Sequence, residues 1–470
     1  MNAKITRRYS GIAYLTLGIG LLAAAIAQSA APKSPAQPPT GPFGLSMIRT
    51  ADQAHADLDL FQATETCGVC HPRQLEELTG SMHLASHTDP LYHALAELAR
   101  KEAGAKVYAF CSGCHSPAGV LTGLIPAKPD EQLPAEAKAG VTCDVCHQIS
   151  ALTGVTGPWK EPANASFTIQ QGMLKFGSYG NIPENRSHTG EKKDFFGSSE
   201  LCASCHTVIQ PLNGFHIEAT YDEWKAGIFF QKGIQCQDCH MRTVEEAQKV
   251  AHTFQPVAPM GKSVMDGADR PIHRHYFVGG NANADILAEG KSHAQMAEAR
   301  LKGAARLEIT SPLKATAGKP WQLDVLVHNV AAGHNIPSAV TELRRMWVDL
   351  QVRDAHGKVL FHNPGLDKEG NPRPGAIAFG AIAGDSAGKA TFKPWEMSQF
   401  LWKRTIPPKS FTRDTVRFKL PADASGMLTV EARLLYQSAP PQVVATVMGK
   451  DAFTPKIVEM ATARTTVSVP

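Results

Sequence analysis

The chain has 470 residues, room for two or three domains, and its 47 Lys and Arg against 43 Asp and Glu leave a formal charge of only +4. That near-balance argues against a nucleic-acid partner, because no Lys- or Arg-rich patch is concentrated enough to attract one. Ten cysteines are the unusual feature of the composition, and their arrangement carries most of the information.

In chain order, MNAKITRRYS supplies Lys4, Arg7 and Arg8, and the apolar GIAYLTLGIGLLAAAIA follows. This is the layout of a secretory signal peptide over residues 1–27, with cleavage after Ala27. An uncleaved anchor helix is the alternative, since the apolar run is nearly long enough to span a membrane. No cysteine follows the run, so a lipid anchor there is excluded. Cleavage would remove three positive charges and lower the formal charge to +1. The mature chain, without a membrane span, is expected to be periplasmic or otherwise exported. Residues 28–50 include the Pro- and Ala-rich SAAPKSPAQPPTGPFG and read as a stiff, exposed linker.

Residues 51–303 contain every cysteine. The clearest helices are RQLEELTGSMHLAS and LYHALAELARKEAG, with Pro90 in the intervening TDP expected to stop the first. Five segments then repeat one pattern: CGVCH at Cys67–Cys70–His71, CSGCH at Cys111–Cys114–His115, CDVCH at Cys143–Cys146–His147, CASCH at Cys202–Cys205–His206 and CQDCH at Cys236–Cys239–His240. A single Cys-x-x-Cys could hold zinc, exchange disulfides or attach a haem. Zinc sites do not require a histidine directly after the second cysteine, and a thioredoxin-like motif occurs once. Five copies that use all ten cysteines point to covalent haem attachment, with each following histidine ligating the iron. The cofactor expectation is therefore five covalently attached c-type haems. Thioether bonds would also spare an exported protein ten free thiols. The motif starts are 44, 32, 59 and 34 residues apart, so no solenoid repeat is present. With haems so dense, a conventional side-chain core is not expected here. The porphyrins should be the core, and the apoprotein should be largely unfolded.

A last helical stretch, ADILAEGKSHAQMAEARLKGAA, precedes a change of texture. RLEITSP, WQLDVLVHNV, RMWVDLQVRD, TVRFKLP, LTVEARLLYQ and TARTTVSV alternate apolar and polar residues, with turn chemistry in DAHGK and PADASG. The expected fold is thus α+β and multidomain. A mainly helical and loop pentahaem domain wraps stacked haems, and an antiparallel β-sandwich without cysteine follows over residues 304–470.

The segments ETCGVCHPRQLEELTGSMHLA, GVTCDVCH, SELCASCHTV, YDEWKAGIFFQKGIQCQDCHM and HRHYFVGGN resemble the multihaem c-type cytochromes related to the tetrahaem electron acceptor of hydroxylamine oxidoreductase. The resemblance covers about residues 60–280. It implies that His83, twelve residues after His71, caps a different haem. The later NVAAGHNIPS and RRMWVDLQVRDAHGKVL look like a β-domain found behind such haem domains. A fifth motif departs from the tetrahaem pattern.

Sixth iron ligands must come from elsewhere in the chain. The candidates are His83, His275 in HRHYFVGGN with His273 as rival, His188 in NRSHTG, His334 in GHNIPS and His252 in AHTF. His87, His93, His216 and His293 stand in reserve, and Met82, Met173, Met260 and Met265 are weaker alternatives that more often fill gaps. Paired histidines imply low-potential haems that only pass electrons. The leading expectation is an electron-transfer protein rather than a catalyst, serving redox partner proteins such as quinol-linked cytochromes or periplasmic oxidoreductases. The alternative is an oxidoreductase acting on hydroxylamine, nitric oxide or nitrite at one five-coordinate haem. Pentahaem nitrite reductases typically carry lysine in one motif, whereas all five motifs here end in histidine. A structural subunit of an extracellular cytochrome filament is a third class.

Overall fold

The computed structural model describes residues 42–153, 161–180, 182 and 187–470. The described residues all fall within one compact unit. The signal-peptide assignment at 1–27 lies outside the described residues, as does most of the 28–50 linker. The fold is α+β, with short helices and loops in the first part and long antiparallel strands in the second.

Local chemistry explains the helix limits. Asp89 caps Pro90–Ala103 by accepting the Tyr92 N–H, and Pro90 occupies a first-turn position where its missing N–H costs nothing. Pro90 therefore opens this helix rather than ending the one before. The earlier helix covers only Pro72–Leu78. Gly80 follows it with φ +83°, and a Cβ there would meet the Glu289 carbonyl oxygen at 2.1 Å. Later, Thr243 and Glu246 form a reciprocal capping box at the start of Val244–Thr253.

Two expectations need correction. Phe43, Met47 and Ile48 are buried, and Arg49–Thr50 pairs in parallel with Phe167–Ile169. The end of the 28–50 stretch is thus built into the fold instead of being exposed linker. The cysteine-bearing part also has a side-chain core of its own. Phe43, Ile48, Phe61, Tyr108, Leu121, Ile125, Phe167 and Ile169 belong to one buried cluster. Its strands Ile149–Leu152 and Phe167–Ile169 come from the longest gap between motifs, which leaves enough chain to fold upon itself.

Downstream, one sheet has the order Ala305–Thr310, Pro320–Asn329, Phe411–Lys419. A seven-stranded sheet is built around Arg345–Arg353, Gly426–Gln437 and Ile457–Val469. Leu323, Val325 and Val327 of the first sheet share a buried cluster with Met346, Val348, Leu350, Val430 and Leu434 of the second. The alternation read from the sequence places these residues on the inward faces. Ala378–Gly384 escapes that reading because AFGAIAG is small and Gly-rich, yet it pairs with Arg345–Arg353 and Gln399–Arg404.

Leu434 is fully buried at the centre of this cluster, whereas Leu313 is 81% exposed. Leu434→Ala should therefore destabilise the holoprotein by about 2–5 kcal/mol. Leu313→Ala should change stability by less than about 0.5 kcal/mol. Urea denaturation followed by far-ultraviolet circular dichroism reads both, and equal midpoints for the two variants would contradict the packing described.

Candidate haem sites

Each Cys-x-x-Cys-His segment includes helical turns, with its histidine at or just beyond the C-terminal end. Helical spacing turns the first cysteine and the histidine, four residues apart, toward the same side. Anchoring comes from distant chain. The Nδ1–H groups of His115, His147 and His240 face the carbonyl oxygens of Ser86 at 2.9 Å, Phe176 at 2.6 Å and Val278 at 2.9 Å. His71 meets the Ser263 carbonyl in the same way. His206 differs, since its Nδ1 lies 3.2 Å from the Glu218 carboxylate. In all five, the bond at Nδ1 leaves Nε2 as the free ligating atom.

Four of these rings face a second histidine. The ring centres are 6.2 Å apart for His71 and His188, 6.1 Å for His206 and His83, 6.5 Å for His147 and His275, and 6.2 Å for His240 and His334. A metal held between two ring nitrogens, with bonds of about 2 Å and roughly 1 Å more from each nitrogen to its ring centre, requires about 6 Å. The interplanar angles are 26°, 26°, 28° and 16°. All eight rings line one continuous cavity of about 1540 Å³, along with the cysteines of the first, third, fourth and fifth motifs. The donor set and the spacing fit haem iron.

The second motif is different. Among the described residues, no histidine ring faces His115 in this manner. Tyr92 stacks on its face at 3.7 Å and 4°. A ring in that position lies beside the Nε2 lone pair, not in front of it. His87 and His93 are nearby but both hold Asp130, at 2.7 Å and 3.2 Å. Cys111, Cys114 and His115 are absent from the wall of the main cavity.

Electrostatics favour the neutral, ligating form of most of these imidazoles. Burial pushes His83 and His275 down to about 3. Burial and the Arg300 guanidinium do the same to His240, and burial lowers His115 to about 4. His206 is the exception. Burial lowers it, but the hydrogen bond and charge of Glu218 prevail and hold it at about 9. His206 lines the main cavity, and 52% of its side-chain surface is accessible.

His252 corrects the sequence reading. It is exposed on Val244–Thr253, whose buried residues are Ala247, Val250 and Ala251, so it points away from the sites. The other alternates are engaged elsewhere. His273 accepts from Arg242 at 3.2 Å, His293 meets the Glu77 carbonyl at 3.1 Å, and His216 pairs with Asp222 at 3.3 Å. Met173, Met260 and Met265 are exposed, and the Met82 sulfur accepts from Asn281. Glu77 is a positioning residue that the sequence did not reveal. It is buried, bonds the His275 backbone N–H at 2.9 Å and pairs with Arg274 at 3.1 Å.

The cysteine sulfurs link the motifs in space. Cys67 lies within hydrogen-bonding reach of Cys143, Cys114 of Cys205, and Cys202 of Cys236. Cys146 bears electrostatically on Cys202 and Cys205. The first motif therefore neighbours the third, the third neighbours the fourth, and the second and fifth both adjoin the fourth.

A family model described as "Cytochrome c554 and c-prime" matches residues 66–148, which span the first three motifs. Among curated proteins, none matches the chain. The structure is similar to that of a penta-heme cytochrome c552 from Thermochromatium tepidum, with a TM-score of 0.59 and 18% identity over 87% of this chain and 99% of that one. A CARDB domain from Pyrococcus furiosus aligns at 13% identity over 35% of this chain and 87% of that one, but its TM-score of 0.17 carries no argument. With its c554-type segment and this likeness across most of its length, the chain has the fold of a multihaem c-type cytochrome.

Proposed function

We propose that this chain is an exported five-haem c-type cytochrome that carries electrons between partner proteins. The observation that carries this reading is the set of four histidine pairs, 6.1–6.5 Å apart, across one cavity. When bound, each haem supplies a reversible one-electron couple through its iron. His71 with His188, His206 with His83, His147 with His275 and His240 with His334 would hold four of the haem irons, and the ten cysteines would supply the thioether bonds. An iron held by two histidines would leave a substrate nothing to bind to. An electron accepted from a reduced partner and delivered to an oxidised one then requires no bond to form or break. The sulfur contacts support a branched order, with the first, third and fourth motifs in line and the second and fifth attached to the fourth.

In this reading, residues 51–303 are the haem domain and residues 304–470 are a β-sandwich that closes the fifth site through His334. The loop bearing His334 is fastened to the haem domain. Ser338 donates to Glu223 at 2.6 Å, and the Ala339 N–H donates to Thr220 at 3.2 Å. Export rests on the N-terminal sequence and the thiol-consuming motifs. Among the described residues, no helix is long and apolar enough to cross a membrane.

A second reading, catalysis on hydroxylamine, nitric oxide or nitrite, gains support from His115 alone, which faces no histidine among the described residues. One open position is compatible with a carrier, and the four filled ones favour it.

Denaturing mass spectrometry should find five haems and no free thiol; zinc, or two or three haems, would refute the assignment. His334→Ala should turn one low-spin haem high-spin, while an unchanged spectrum would remove the β-domain from the ligand set. Carbon monoxide should bind at one haem of the fully reduced protein, with only slow turnover of hydroxylamine or nitrite. Binding at two or more haems, or turnover in the enzymatic range of roughly 1–1,000 per second, would favour catalysis.

A further inference from the structure

The fourth motif is anchored unlike the other four. His71, His115, His147 and His240 each give their Nδ1–H to a neutral backbone carbonyl. His206 alone faces a carboxylate, Glu218, at 3.2 Å. Glu218 is 8% exposed and lies on the strand His216–Glu218, which pairs with Val208–Ile209 just beyond the motif. Thr220 Oγ1 also donates to it at 3.3 Å. Among the described residues, His206 is its only partner at ion-pair distance. Arg344 bears on it only at longer range, its guanidinium being bound to the Ser438 carbonyl at 2.5 Å.

A carboxylate acceptor draws the Nδ1 proton more strongly than a carbonyl and makes the imidazole a better electron donor at Nε2. Its negative charge, in a site shielded from bulk water, adds to the same effect. Both favour the more positive ferric state over the ferrous one. We propose that Glu218 sets the reduction potential of the fourth-motif haem, holding it below the value that a carbonyl-anchored histidine would give. The inference rests on the haem reading of that motif. The position matters because the fourth motif adjoins the second, third and fifth through Cys205, Cys146 and Cys236. A low-potential junction passes electrons outward to its neighbours instead of storing them.

Glu218→Gln removes the charge and keeps a side-chain acceptor. Spectropotentiometric titration of the five-haem protein should show one couple moving upward, by about tenfold in the reduced-to-oxidised ratio at a fixed potential. For a one-electron couple that corresponds to about 59 mV. Glu218→Asp should leave the couple closer to the parent value. The moving couple should be the one that becomes high-spin in His83→Ala. Five attached haems with no couple displaced in Glu218→Gln would overturn the inference, whereas a missing fourth haem in the parent would instead overturn the haem reading. Should the Gln variant fail to fold, His83→Ala, which retains Glu218, provides the test by resonance Raman. Its reduced fourth haem should show a higher iron–histidine stretching frequency than the carbonyl-anchored haem at His115. Equal frequencies would refute the role of Glu218.

Discussion

An imidazole that binds metal through one nitrogen is held by the other, and all five motif histidines here have a partner at Nδ1, as the proposed haem ligation would require. The acceptors at Ser86, Phe176 and Val278 lie 29, 29 and 38 residues from their histidines, and the one at Ser263 lies 192 away. Loops between motifs are therefore the parts that fix ring orientation. The helical turns bring cysteines and histidine together, and the loops decide where Nε2 points. His83, His188, His275 and His334 then have to stand opposite, which draws in chain from both ends of the cysteine-rich part and from the strands beyond it. The approach of His334 to His240 joins the two parts of the chain. Glu223 and Thr220 hold the His334 loop at the junction, consistent with the described residues lying in one compact unit.

The fourth motif is where these constraints converge. His83 faces it from the segment after the first motif, Glu218 anchors it from behind, and the sulfurs of Cys205 and Cys202 meet those of Cys114 and Cys236. Tuning a junction affects every route through it, so one buried carboxylate there has wider influence than a surface charge elsewhere.

The five Cys-x-x-Cys-His motifs were legible in the sequence because each is local: five residues make each motif. His83, His188, His275 and His334 were legible as candidates, while His252 was misjudged. Its neighbours suggest nothing about which face of Val244–Thr253 turns inward until the packing of Ala247, Val250 and Ala251 is known. The strands after residue 304 announced themselves wherever β-branched residues alternated, and Ala378–Gly384 stayed silent because small residues carry little pattern. The buried cluster of Phe43, Ile48 and Phe167 was hidden for a different reason: Phe167 lies more than 100 residues from the other two. Glu218 and Glu77 look like ordinary surface carboxylates in the sequence, and only their burial and partners mark them.

The central claim is that four irons lie between paired histidines and the one at His115 does not. Quantitative electron paramagnetic resonance of the fully oxidised protein tests it most directly. The account predicts low-spin ferric signals for four haems and a high-spin signal for one. Five low-spin haems would mean that His115 has a sixth ligand the structure does not identify, and two or more high-spin haems would contradict the histidine pairs themselves.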